Sequence, residues 1–267
     1  MRTAAAAIAV AAGAAVLIGI VLHRSSTSPK ADAARVAAVA AEAGHLPPPE
    51  TPAFRVSSPK LLDKHETRAR FAPVLHEIVA RSSPSGTSRP LASLETKTPE
   101  GTTNIVLVIG EQTRGDGLWI HVRLAVLPND LTGWVPRNAL GGYHFVHTQL
   151  VVDQRRLTAT LYRNGRAIFS APVGVGTSGS PTPRGEFYVR DRLNGFGDPF
   201  YGPIAFGTSA RSAVLTDWPG GGFVGIHGTN EPGLIPGRIS HGCVRLRNPD
   251  IVRLSRLMPV GTPVSIR

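Results

Sequence analysis

The 267-residue chain holds one cysteine, Cys243. A single thiol cannot close an internal disulfide, so no covalent framework staples this fold. The same absence argues against a dithiol redox protein, which needs a resolving partner. Aromatic residues make up only 6% of the chain and form no aromatic–basic signature of an RNA-binding sheet. No Cys/His finger is present either. Acidic residues are also sparse, with 18 Asp and Glu against 29 Lys and Arg, a formal charge of +11. A surplus of that sign favours polyanionic partners. With no nucleic-acid motif beside it, nucleic acid is not expected among them. No repeat of fixed period is visible.

Glycine and proline are plentiful, at 29 and 23 residues, which points to linkers and turn-rich β structure rather than long helices. The length leaves room for more than one domain. Residues 4–22, "AAAAIAVAAGAAVLIGIVL", carry no charge and are flanked by Arg2, His23 and Arg24. Such a run is long enough to cross a bilayer as a helix. Residues 1–24 therefore read as an uncleaved signal-anchor or a signal peptide. Either exports the rest of the chain to the cell envelope, with the membrane as a partner of the N-terminal helix. An exported chain with one unpaired thiol is retaining something reactive.

Residues 25–89 read as a linker. "LPPPETP" at 46–52 is stiff and extended. Short helices are expected at 34–43 and, interrupted at Pro73, over 61–81. From residue 90 the apolar pattern shifts to β-branched and aromatic runs bounded by polar turns, as in "NIVLVIGE" and "GLWIHVRLAVLP". Short strands closing before residue 145 predict a small β-barrel over 90–142. Trp119, Val122, Arg123, Leu124, Pro128, Asn129, Thr132, Gly133, Trp134 and Val135 resemble the pattern of bacterial SH3-like domains, with Trp119 and Trp134 expected in the barrel core. A second β-rich unit spans 146–267. Leu157, Ala159 and Leu161 alternate with polar neighbours, and Asn164-Gly165 is a strong hairpin signal. Asn248-Pro249-Asp250 reads as the capped start of one short helix whose inner face is Ile251, Leu254 and Met258. "GTPVSIR" reads as a closing strand. The fold class expected is mostly β: an apolar helix and linker, a small barrel, then a sandwich with one short helix.

Cys243 sits in "SHGCVRL", and "GIHGTN" at 225–230 lies a turn-rich segment upstream. That segment can fold back and bring His227 to Cys243. Four roles stay open on residue types alone: an apolar filler, an intermolecular bridge, a zinc ligand with His227 and His241, or a nucleophile. An ordinary thiol is mostly protonated at neutral pH, and a nearby imidazole can take its proton. That base needs an orienting acceptor on its other nitrogen. Gly242 lets substrate approach the backbone, and the Gly242 and Cys243 amides are expected to face a developing oxyanion. Arg245 suits a bidentate grip on a carboxylate.

His227-Gly228 followed by "SHGCVRLRN", with Thr182, Pro183, Gly185 and Phe187 upstream, resembles the L,D-transpeptidase (YkuD-type) catalytic domain of bacterial cell-wall enzymes. The resemblance implies a β-sandwich and acyl transfer through a Cys243 thioester, with peptidoglycan stem peptides as substrate and no metal or organic cofactor. It further implies His227 as general base, the Gly228 carbonyl as its orienting acceptor, and His241 beside the oxyanion. Arg245, Ser240, Thr229 and Asn230 are expected to contact substrate. Carbapenem-type β-lactams are implied as covalent inhibitors. Water as acceptor would make the enzyme an L,D-carboxypeptidase. A wall-binding protein without turnover is the reading from another class. The segment 230–238 is short for a flap and is expected to cover the cleft poorly.

Overall fold

The computed structural model describes residues 60–61, 68–115, 117–194, 198–215 and 222–267. The apolar run at 4–22 and the short helix expected at 34–43 lie outside the described residues. Those described are mostly β, with one α-helix, and divide between two sheets. No helix among them is long and apolar enough to cross a membrane.

The first sheet comprises β1 (Lys60–Leu61), β2 (Ala69–Pro73), β3 (Ile78–Arg81), β4 (Pro90–Leu94), β5 (Ile105–Arg114), β6 (Gly117–Arg123), β7 (Thr132–Pro136) and β8 (His144–Val146). Its strands follow the order β4-β3-β7-β6-β5-β2-β8, with β1 added on β5. The helix expected over 61–81 is overturned: β2 pairs with β5 and β8, and β3 with β4 and β7. Phe71, Val74, Leu75 and Ile78 do recur at helical spacing. Pro73 cannot donate to a helical ladder, however, and β-branched Ile78 and Val79 fit a strand. The sheet thus begins at residues assigned to the linker, ahead of position 90.

The core of this unit is aliphatic, with Ile120, Val122, Leu124 and Val135 at its centre. Trp119 is buried, as expected, and Trp134 is half-buried, but neither belongs to this aliphatic cluster. Successive strand residues face opposite ways, so Ile120 and Val135 point inward while Trp119 and Trp134 point to the other side. There Trp134 stacks on His121, with centroids 4.4 Å apart and rings nearly parallel at 5°.

The second sheet holds β9 (Thr148–Asp153), β10 (Thr158–Arg163), β11 (Arg166–Pro172), β12 (Gly174–Gly176), β13 (Gly185–Asn194), β14 (Ile204–Arg211), β15 (Phe223–His227), β16 (Gly237–Ser240), β17 (Val244–Arg245) and β18 (Pro263–Ile266). The order is β11-β10-β9-β18-β13-β14-β15-β17-β12-β16. The long strand β13 belongs to both halves: residues 185–188 pair with β18, and residues from Val189 onward pair with β14 across a bulge. Bulges bend a strand, and here the sheet folds over into a sandwich. Its core draws from both halves, with Leu150, Leu161, Phe187, Phe206, Ile226 and Leu246 fully or almost fully buried.

The predicted hairpin is β10–β11, with Asn164 and Gly165 at φ 50° and 75°. The predicted closing strand is β18, which lies between β9 and β13 rather than at an edge. The helix α1 (Asn248–Ser255) buries Ile251 and Leu254, with Met258 just beyond its end. Asn248, however, is its first residue rather than its cap; the capping position falls to Arg247, without a side-chain bond.

The two units are joined tightly. Tyr188 Oη–H donates to the Ile105 carbonyl at 3.0 Å, within a small apolar cluster that also includes Leu107 and Phe71. Asp130 Oδ1 accepts the Glu186 N–H at 2.7 Å.

Candidate active site

Adjacent parallel strands bring the motif residues together. In the β15–β17 pairing Ile226 lies opposite Val244 and His227 opposite Arg245. Side chains two apart on a strand share a face. His227 and Arg245 therefore lie on one face with Cys243, which enters β17 beside Gly225. The Gly225 N–H donates to Cys243 Sγ at 3.3 Å. A methyl group built on Gly225 would sit 3.7 Å from the His227 ring and 3.9 Å from the sulfur, so imidazole and thiol converge over this glycine.

The chain reaches Cys243 through a sharp turn. Gly242 has φ +119°, a conformation L side chains rarely adopt. Ser240 braces the turn: its Oγ–H donates to the Cys243 carbonyl at 2.5 Å and accepts the Gly242 N–H at 3.1 Å. Thr182 braces it from the other side, donating to the Gly242 carbonyl and accepting the Gly176 N–H, both at 2.8 Å.

His227 is 1% exposed. Its Nδ1 lies 2.7 Å from the Gly228 carbonyl. A carbonyl can only accept, so the proton sits on Nδ1 and Nε2 carries the lone pair. Among the described residues Nε2 has no hydrogen-bond partner. Tyr201 and Phe200 flank the ring at 5.0 and 6.0 Å. Arg245, 3% exposed, meets Glu231 at 3.3 Å and lies 4.3 Å from the Phe200 centroid.

Cys243, His227, Arg245, Phe200 and Tyr201 line one pocket with about 30 Å³ of room. Burial pushes the His227 pKa down to about 4, outweighing the upward pull of the Gly228 bond, with Arg245 lowering it further. Burial pushes the Cys243 thiol up, opposed by the Gly225 N–H and by Arg245. At neutral pH the site therefore rests as a thiol beside a neutral imidazole, not as an ion pair. Among the described residues no three of His, Cys, Asp and Glu are grouped to hold a metal ion.

Residues 147–266 match the family model of the L,D-transpeptidase catalytic domain. YqjB of Bacillus subtilis, named as an L,D-transpeptidase, is 33% identical over 127 residues, covering 44% of this chain and 69% of that protein. The chain belongs to the L,D-transpeptidase family. YkuD of the same organism, also named as an L,D-transpeptidase, is 37% identical over 109 residues, 41% of this chain and 59% of that protein. The chain thus spans about three fifths of that relative's length. The NMR structure of the catalytic domain of the Enterococcus faecium L,D-transpeptidase is 25% identical, covering 45% of this chain and 96% of that one, with a TM-score of 0.34.

Of the residues expected at an L,D-transpeptidase site, Cys243, His227, His241, Ser240 and Arg245 line the pocket. Gly228 stands behind the imidazole as its acceptor. Two of the expected residues make other bonds here. The Gly242 N–H donates to Ser240 Oγ within the turn. Thr229 is turned into the scaffold: its N–H donates to Asn248 Oδ1 and its Oγ1 accepts the Glu231 N–H. Neither Thr229 nor the exposed Asn230 lines the pocket. The wall comes instead from Ser212 and Leu215 of the β14–β15 connection and Phe223 at the start of β15, together with Phe200 and Tyr201. No motif spacing in the sequence marks those residues.

The buried imidazole has a consequence for stability. Between pH 6.5 and about 4 the unfolded chain protonates this histidine while the folded chain does not. The contribution is complete above pH 6.5 and is lost as the pH falls to about 4, by roughly 3 kcal/mol. Urea unfolding from pH 7 to pH 4 is expected to show that much less acid destabilisation in His227→Gln than in the wild type. Parallel pH profiles would contradict the buried neutral imidazole.

Proposed function

We propose that the chain is a peptidoglycan L,D-transpeptidase that forms 3→3 cross-links through a thioester on Cys243. The observation that carries this reading is the convergence of sulfur and imidazole over Gly225, with Nε2 unprotonated and unpartnered in the pocket. The donor is a tetrapeptide stem. Cys243 Sγ attacks the carbonyl carbon of the third residue while its proton passes to His227 Nε2. The imidazolium, held by the Gly228 carbonyl, then gives that proton to the nitrogen of the leaving D-alanine. An amine of a neighbouring stem attacks the thioester and loses its proton to Nε2. The sulfur leaves and takes that proton back.

His227 suits the shuttle because its low pKa keeps it neutral and ready to accept. Arg245 is the natural anchor for a substrate carboxylate, with Glu231 as its internal counter-ion. His241 borders the pocket where the carbonyl oxygen would sit. Carbapenem-type β-lactams would acylate the same sulfur. The N-terminal apolar segment would hold the enzyme at the outer face of the membrane, with the first β-unit as an SH3-like companion.

Incubation with purified muropeptides and mass analysis of the products tests this reading. Dimers that have lost one terminal D-alanine are expected. Monomers shortened by D-alanine would make the enzyme an L,D-carboxypeptidase, and unchanged muropeptides that bind without reacting would leave a wall-binding protein.

A further inference from the structure

Glu100 lies outside the stretch that matches the family, in the loop between β4 and β5. Its carboxylate nevertheless crosses the junction and meets Arg190 of β13 at 2.7 Å. Arg190 is 3% exposed, and its other carboxylate partner, Asp191, lies 3.4 Å away and is equally buried. Asp191 already serves the sheet, accepting the Gly207 N–H at 2.9 Å. The Arg190 guanidinium lies 3.7 Å from the centroid of Phe223, and Arg211 covers the same ring at 4.5 Å. Arg211 is itself clasped from the first unit: Asn129 Oδ1 accepts its N–H at 2.9 Å, and Asn129 Nδ2 donates to its carbonyl at 2.8 Å. Phe223 is a wall of the Cys243 pocket.

Two independent struts therefore run from the first unit to one pocket wall. A guanidinium stacked on a ring fixes both partners. A buried cation short of a counter-charge moves toward water or draws water in. Without Glu100, Arg190 keeps only Asp191 as a carboxylate partner among the described residues, and the ring stacked on it loses one of its two supports.

We propose that the N-terminal β-unit is an integral part of the catalytic pocket, with Glu100 as a positioning residue that holds the Phe223 wall through Arg190. This goes beyond a spacer or a wall-binding module, and only its kinetic readout rests on the transpeptidase reading.

The test uses the full chain, in which Cys243 is the only thiol, so iodoacetamide alkylation reports on that sulfur alone. In Glu100→Ala the wall loosens: alkylation of the native protein speeds up about tenfold, and the KM for a tetrapeptide donor rises about tenfold with a smaller change in kcat. Glu100→Gln is isosteric and keeps an acceptor for Arg190, so it folds and falls between wild type and Ala. Asn129→Ala, which removes the other strut, shifts both readouts the same way. A purely structural contact would lower Tm and leave alkylation and KM at wild-type values, and that result overturns the proposal. Should the wild type fail to turn over stem peptides, the transpeptidase reading falls, and the alkylation rates of the three variants still decide this one.

Discussion

Cys243→Ala is expected to leave a folded protein that forms no acyl-enzyme and has lost turnover by a factor on the order of 10⁵–10⁶. The size of the loss follows from the position of the sulfur. Among the described residues it is the only thiol in the pocket, and the hydroxyls beside it are engaged in the scaffold, Ser240 Oγ in two backbone bonds and Ser212 Oγ in accepting the Val214 and Leu215 amides. Survival of the fold follows from how little the sulfur holds. It accepts one bond, from Gly225, and the turn behind it stands on Ser240 and Thr182. Losing that bond and some packing costs about 1–3 kcal/mol. Thermal unfolding beside a cross-linking assay checks both halves. Retained turnover in the variant would end the mechanism.

The second large effect separates the two histidines of the pocket. His227→Ala is expected to slow thioester formation by about 10²–10⁴-fold, the usual contribution of a general base. His241→Ala, at an exposed position, is expected to cost roughly tenfold at most, the worth of one polar contact. The difference lies in what holds each ring. His227 is buried, packed against Tyr201 and oriented by the Gly228 carbonyl. Truncating so buried a ring also opens a cavity, so His227→Gln serves as the companion variant. Acylation kinetics by stopped reaction and mass spectrometry decide it. Equal losses for the two histidines would mean their roles were assigned wrongly.

The site was legible where chemistry is carried by rare residues in short motifs. A lone thiol two residues after a histidine, with a second His-Gly upstream, marks Cys243 and His227 in the sequence alone. The hairpin at Asn164-Gly165 and the buried face of α1 were legible because a turn type and a helical period each leave a local pattern. What the sequence concealed was non-local. Phe71, Val74, Leu75 and Ile78 mimic a helix, and only pairing with β5 and β4 makes their segments strands. Asn248 looks like a helix cap, yet its side chain holds the Thr229 amide of the histidine loop. The bond from the Gly242 N–H to Ser240 Oγ depends on the turn's geometry and leaves no mark in the sequence. Phe200, Tyr201 and Phe223 reach the pocket from segments with no periodic signal, and the pairing of Glu100 with Arg190 joins residues 90 positions apart.

The most direct measurement is the mass of the protein itself, acid-quenched during reaction with a tetrapeptide stem and then digested. The account predicts a transient adduct equal to the donor less D-alanine, confined to the peptide that bears Cys243 and released by hydroxylamine as a thioester should be. Product formation with no such adduct, or an adduct on any other residue, would contradict it.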